Sequence, residues 1–484
     1  MEEEEAGAGA GAGAAKLNVV LFPWLAFGHL IPYLELAKRL AARGHAVTFL
    51  STPRNIARLP TVPARLSSRV NLVALPAPKV DGLPEGAEST ADVPPEMNEL
   101  IKKAVDGLAA PFAAFLADAV AAGGRKPDWI FNDFCHHWLP DIADAHGVPC
   151  ATFMIVQPAT IAFFGPRHGR GGPGSPPPTW RDFVAPPAWC GGPSSFPPAV
   201  AYRRHEAEWI ATAFRPNASG VSDMDRMCGI IERSRLVIYR SCEELDPGVF
   251  ELLTDIFQTP AVPAGVLFQP EFSDDDGAGS GERHEVLRWL DDQPPKSVTY
   301  VALGSEAPLT ANTLRELALG MELAGVRFLW AFRKPAGMSA PDSDERTRGR
   351  GLVRTGWVPQ TRVLAHAAVG AFLTHCGWGS TLESLAFGHP MVMLPFVVDQ
   401  PLVARTMALR GVGVEVPRDE DAHGSFVRED VAAAVRRVMV EEEGKVFASN
   451  AAKLKEVLGD QRRQDGYVDA LVDYLRRYKD NELC

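Results

Sequence analysis

Apolar and polar positions follow two alternating rhythms from residue 17 onward. LNVVLFPW is a short run of the kind that makes a buried strand. In LIPYLELAKRLAARGH, which follows it closely, Leu30, Leu34, Ala37 and Leu40 recur at helical spacing until Arg43 and Gly44 end the pattern. AVTFLS reads as a strand again, so the chain opens as a βαβ unit. Further strands are predicted over 70–75, 129–131, 150–155 and 236–239, with an Ala-rich helix over 100–122. The rhythm resumes with strands at 297–303, 326–332, 369–374 and 391–395 and a helix at 313–324. A terminal helix carries Tyr467, Leu471, Tyr474 and Tyr478 on one face, which needs a surface to dock on. Strands alternating with helices imply parallel sheets covered on both faces, here in two α/β halves with a cleft between them.

The punctuation between these elements sets the domain plan. Residues 1–15 are acidic and then Gly/Ala-rich, and read as a disordered tail. A first domain is expected over 16–260, a linker over 261–285 that includes the acidic SDDDGAGSGERHE, a second domain over 286–460, and the closing helix over 461–484. Residues 165–198, dense in Gly and Pro, read as a long loop that lines a substrate cleft.

Composition narrows the function. The 484 residues carry 49 Lys and Arg against 60 Asp and Glu, a net charge of −11, which argues against nucleic acid or an anionic membrane as partner. Seven cysteines, an odd number without CxxC spacing, make neither a disulfide framework nor a zinc site and point to a reducing compartment. No uninterrupted apolar run approaches the roughly 18 residues that span a bilayer, and the N-terminus is acidic where a signal peptide is basic. A cytoplasmic, monomeric protein is expected, not integral to a membrane.

Ligands of open α/β sheets bind at the carboxyl ends of the strands, so the residues after each strand are the candidates. The loop His375-Cys376-Gly377-Trp378-Gly379-Ser380 runs straight into a helical stretch, and such a turn offers free N–H groups to a phosphate. Ser380 and Glu383 equally make an S-x-x-E capping box with a purely structural purpose, and this feature alone does not decide between the two.

The 44 residues from Trp357 to Gln400, WVPQTRVLAHAAVGAFLTHCGWGSTLESLAFGHPMVMLPFVVDQ, closely resemble the signature box of plant secondary-product UDP-glycosyltransferases. The resemblance extends from the PWLAFGH loop through WLDDQ and VALGS to the C-terminal helix, though the middle loops match little. It implies a GT-B fold, two Rossmann-like domains facing a central cleft, with the last helix returning to the first domain. It also implies that Trp357 stacks on uracil, that Val358 and Gln360 contact the nucleoside, and that Glu383 binds the ribose hydroxyls. Ser305, His375, Ser380 and the backbone at Trp378 and Gly379 would hold the diphosphate, and Asp399 and Gln400 the sugar. Trp378 and Cys376 have packing roles as alternatives. The family usually has Asn where this chain has Gly379, and glycine there resembles the members that add sugars to existing glycosides.

Sugar transfer needs a base for the acceptor hydroxyl. His29, at the end of PWLAFGH and the start of a helix, matches the family's catalytic histidine, although a histidine there otherwise just caps or packs. Asp133, just after the strand at 129–131, is the orienting acid, and neighbouring Asn132 should point the other way. Trp24, Phe27, Phe134 and His137 are candidates for the acceptor pocket, with simple packing as the alternative for His137 and its neighbour His136. The D-x-D runs at Asp274–Asp276 and Asp342–Asp344 lie in polar surroundings and read as solvated charge. No metal and no tightly bound cofactor are expected. The co-substrate is UDP-glucose or UDP-rhamnose, and the acceptor a small-molecule glycoside or its aglycone. Two rivals stand beside this reading: a catalytically silent UDP-sugar binder, and a nicotinamide dehydrogenase that lacks its glycine fingerprint.

Overall fold

The computed structural model describes residues 15–121, 125–167, 176–190, 196, 199–268, 285–304, 307–333 and 349–479. Seven strands make the first sheet: β1 Asn18–Leu21, β2 Ala46–Ser51, β3 Val70–Ala74, β4 Trp129–Asn132, β5 Cys150–Met154, β6 Leu236–Tyr239 and β7 Ala261–Pro263. Their order is β3-β2-β1-β4-β5-β6-β7, and every neighbouring pair is parallel. Six more make the second: β8 Val298–Ala302, β9 Arg327–Phe332, β10 Gly351–Thr355, β11 Val369–Thr374, β12 Met391–Met393 and β13 Gly413–Glu415, in the order β10-β9-β8-β11-β12-β13, again all parallel.

Parallel strands buried on both faces need near-continuous apolar runs, and VTYVA in β8 is buried at every position. Each sheet has one place where the strand order reverses, between β1 and β4 in the first and between β8 and β11 in the second. The carboxyl ends of those strands therefore open a crevice in each domain.

Local departures from the predicted elements have simple causes. The helix expected over 100–122 is two, Asn98–Asp106 and Ala109–Ala121, because the chain turns at Gly107. The wider stretch Pro95–Ala121 is apolar and long enough to pass as a membrane span by composition. Here Ile101, Val105, Phe112 and Leu116 are buried in the first domain's core. Strand β7 lies within the stretch assigned to the linker and pairs with β6. The face of the last helix, Gln461–Tyr478, that packs most deeply is Val468, Leu471, Val472 and Leu475, in the first domain's core, where the helix meets the helix Phe27–Ala42 and β7. Tyr474 and Tyr478 only flank it. Trp129 Nε1 donates to Leu475 O at 3.0 Å and ties that helix to β4.

Contacts between the two sheets' domains join apolar clusters, such as Leu245 and Val266 with Trp378 and Leu382, to specific polar pairs. Tyr202 OH donates to Val398 O at 2.7 Å, and Arg405 pairs with buried Glu206 at 2.6 Å. Trp378 Nε1 donates to Arg240 O at 2.8 Å.

Candidate active site

The first crevice holds His29 and Asp133. Strand β1 delivers the loop to Ala26, and the helix Phe27–Ala42 begins just before His29. Asp133 follows β4 directly. His29 Nδ1 lies 2.7 Å from Asp133 Oδ2, and the same oxygen accepts from Trp24 N at 2.9 Å. The other carboxylate oxygen accepts from Phe134 N at 2.7 Å. Burial alone would raise the Asp133 carboxyl, but the His29 imidazole, its hydrogen bond and the Trp24 N–H outweigh it and hold the group below its ordinary value. The carboxylate is thus charged and acceptor-only, so Nδ1 of His29 carries the proton and Nε2 keeps the free lone pair. Asn132 points away, as the strand alternation predicts: its Oδ1 accepts from Thr152 Oγ1 at 2.7 Å inside the sheet.

Not all the predicted pocket residues gather there. The Phe134 ring lies 5.8 Å from that of His29 and 5.6 Å from that of Trp24. Phe27 instead lies under the Arg58 guanidinium, 4.9 Å from its ring centre. His137 sits 2.9 Å from Arg226 Nη1 and 3.7 Å from Asp106, in a half-buried ion cluster. His136 packs 4.3 Å from Phe22, and burial drives it down to about 4. His136 thus follows the packing alternative.

The second crevice gathers the residues of the 357–400 box. The helix Trp378–Phe387 starts immediately after β11, with Gly377 as its N-cap and no side chain capping it. Ser380 is therefore the third helical residue, and the capping box with Glu383 does not form. A ten-residue helix with an uncapped first turn leaves its leading N–H groups open. Cys376, just before it, is buried with φ +67, a left-handed conformation that costs a non-glycine residue energy. Val398, in the next loop, is strained in the same way with φ 54.

Two glycines seat His375. A Cβ at Gly304 or at Gly377 would lie 2.6 Å from His375 Nε2. Burial lowers the imidazole to about 4, with the Ala302 carbonyl opposing, so it is neutral near pH 7 and offers a hydrogen bond instead of a charge. Gln360 Nε2 donates to Glu383 Oε2 at 2.6 Å, and Tyr300 OH donates to Gln360 Oε1 at 3.2 Å. Burial raises the Glu383 carboxyl, against the hydrogen bond from Gln360 and the charge of Arg240.

Trp357 is 61% exposed as a residue, while Val358 packs on the cluster around Tyr300. Trp378 is buried in the core, so only its backbone can meet a ligand. Gln400 Oε1 accepts from Phe396 N at 2.9 Å and Val397 N at 3.1 Å, which leaves its amide NH2 for a ligand. Asp399 is the buried N-cap residue of the helix Gln400–Leu409. Ser305, Asp274–Asp276 and Asp342–Asp344 lie outside the described residues. Arg240, directly after β6, was not singled out from the sequence; a lone cation closing an apolar strand at its carboxyl edge was the available signal.

The family profile for UDP-glucoronosyl and UDP-glucosyl transferase matches residues 278–471. UDP-glycosyltransferase 91D1 of Stevia rebaudiana is 42% identical over 481 residues, covering 96% of this chain and 93% of that protein. The soyasaponin III rhamnosyltransferase of Glycine max is 35% identical over 474 residues, covering 96% of each. Among solved structures, Os79 from O. sativa in complex with UDP superposes with a TM-score of 0.75 at 25% identity, over 95% of this chain and 100% of that one. The two doubly wound domains are a GT-B fold, and the chain belongs to the plant family 1 UDP-glycosyltransferases. It is a glycosyltransferase whose co-substrate is a UDP-sugar.

Proposed function

We propose that this enzyme moves glucose from UDP-glucose to a hydroxyl of a flavonoid or terpenoid glycoside, with inversion at the anomeric carbon. Nε2 of His29 takes the acceptor proton while Asp133 stabilises the imidazolium that forms. The acceptor oxygen bonds to the anomeric carbon as the bond from that carbon to the diphosphate breaks, and UDP departs with the electron pair. The observation that carries this reading is the 2.7 Å contact between His29 and Asp133 at the strand-order reversal.

In the second crevice Trp357 stacks on uracil, Val358 and Gln360 line the nucleoside, and Glu383 takes the ribose. His375, Ser380, Ser305 and the N–H of Trp378 and Gly379 hold the diphosphate, where open helix N–H groups favour an anion. Asp399 and the amide of Gln400 serve the sugar. Rhamnose from UDP-rhamnose is the second reading, favoured by the likeness to the soyasaponin III rhamnosyltransferase. The six described cysteines are free and buried, which supports a reducing cytosol, and we take the enzyme to act there as a monomer.

A mass-spectrometric transfer assay without added metal, offering each UDP-sugar to paired aglycones and their monoglycosides, tests this. A hexose added only to glycosides is the expected result. Products on aglycones alone would overturn the acceptor class, a deoxyhexose the donor, and UDP binding without product the catalytic role of His29.

A further inference from the structure

Arg240 stands alone as a buried cation at the junction of the two domains. Its residue exposure is 6%, and its guanidinium makes one hydrogen bond among the described residues, from Nε to Val266 O at 3.0 Å. None of the ion pairs among those residues involves it; Glu383 and Glu35 act on it only through their charge. Burying a guanidinium without a carboxylate is costly, and the group is driven down to about 10 by that burial. The neighbour at its other end makes matters worse. A Cβ at Gly379 would lie 3.3 Å from Arg240 Nη1, so the guanidinium stands against the open first turn of the helix Trp378–Phe387. That turn carries the positive end of the helix dipole. Two positive groups held together, one of them buried and without an ion-pair partner among the described residues, favour an anion between them.

We propose that Arg240 binds the diphosphate of the UDP-sugar from the side opposite the helix. This rests on the UDP-sugar reading of that crevice. The planar fork of a guanidinium matches two phosphate oxygens, and its fixed charge offsets the one that grows on the departing UDP. Gly379 is the matching half of the arrangement, since any side chain there would compete for the space of Nη1. The Trp378 indole, which donates to Arg240 O at 2.8 Å, anchors the backbone of the arginine to the same helix. The first domain thereby supplies one charge to a donor otherwise held by the second.

The test is calorimetric titration of UDP and of uridine into the wild-type enzyme, Arg240→Gln and Arg240→Lys. Arg240→Gln should weaken UDP by about ten- to a hundredfold and leave uridine unchanged, because a charged hydrogen bond is lost only where phosphate is present. Arg240→Lys, which keeps the charge without the fork, should fall between, and it carries the test if the glutamine variant does not fold. Wild-type affinity for UDP in Arg240→Gln would overturn the assignment, as would an equal loss of uridine, which would mark a structural role. A wild-type enzyme that does not bind UDP would overturn the reading of the crevice itself and the assignment with it.

Discussion

Gly304 and His375 come from neighbouring strand ends and touch: a Cβ on the glycine would lie 2.6 Å from Nε2 of the imidazole. Gly304 also has φ +71, which disfavours any other residue. Gly304→Ala should therefore both strain the turn and push the ring out of its seat. A stability loss of about 1–3 kcal/mol is expected, with a larger fall in UDP affinity than the unfolding curve alone explains. Denaturant titration beside UDP binding checks this, and an alanine variant with unchanged UDP affinity would show that the ring position does not matter to the ligand.

The His29–Asp133 pair predicts a tautomer effect. Asp133→Asn keeps the shape but offers no charge to the imidazolium, and its amide can present a donor to Nδ1. Turnover should drop by about 10²–10⁴ with UDP affinity unchanged. Steady-state kinetics paired with UDP titration decide the matter, and near-normal turnover would refute the proposed base.

Glu383 is held by Gln360 at 2.6 Å and by no cation within ion-pair reach among the described residues. Glu383→Ala should weaken UDP and uridine alike by roughly tenfold, the value of one or two lost hydrogen bonds to the ribose. Uridine affinity equal to wild type would remove Glu383 from the nucleoside site.

Trp357 offers a cleaner separation of binding from stability, since the residue is 61% exposed. Trp357→Ala should leave the melting temperature within a degree or two and cost about 1–3 kcal/mol in UDP affinity, the range of a base–aromatic stack. A variant that binds UDP as well as the wild type would contradict the stacking role.

Acid sensitivity follows from three buried histidines. Burial lowers His136, His375 and His389 to about 4, whereas an unfolded histidine protonates near 6.5. Between those values the unfolded chain binds more protons, so stability is complete above pH ~6.5 and falls as pH drops, by about 1.4 kcal/mol per unit for each group. Asp246, raised to about 6 by burial, and Glu383, also raised by burial, work in the opposite sense but are two groups against three. Thermal melts from pH 7.5 to 5 should show a steady decline, and a flat profile would mean that these rings are solvated.

Most of the architecture was legible because buried parallel strands announce themselves as apolar runs, as LVIY and VGAFLT do. Strands β7, β10 and β13 were not read. They span three to five residues, carry Pro, Gly or charge, and sit at or near sheet edges where one neighbour suffices. Side-chain chemistry was legible where a residue acts at a strand end, as with His29 and Asp133. It failed where a local pattern met a tertiary constraint. Ser380 reads as a cap only if the helix waits for it, and Gly377 starts the helix sooner. His137 meets Arg226, from a helix 89 positions on, through Nδ1, a contact that no local pattern announces. Arg240 shows in sequence only as a cation closing an apolar strand, and the group it faces, Gly379, lies in the other domain.

The docking of Val468, Leu471, Val472 and Leu475 into the first domain's core has a consequence for biosynthesis. Vectorial synthesis normally lets an N-terminal domain fold while the rest of the chain is still being made. Here the first domain must wait with an uncovered apolar patch until the whole second domain and the helix after it have left the ribosome. The patch is therefore open to chaperones and to aggregation for roughly the second half of translation, and early termination before the last helix would leave the domain made first uncovered.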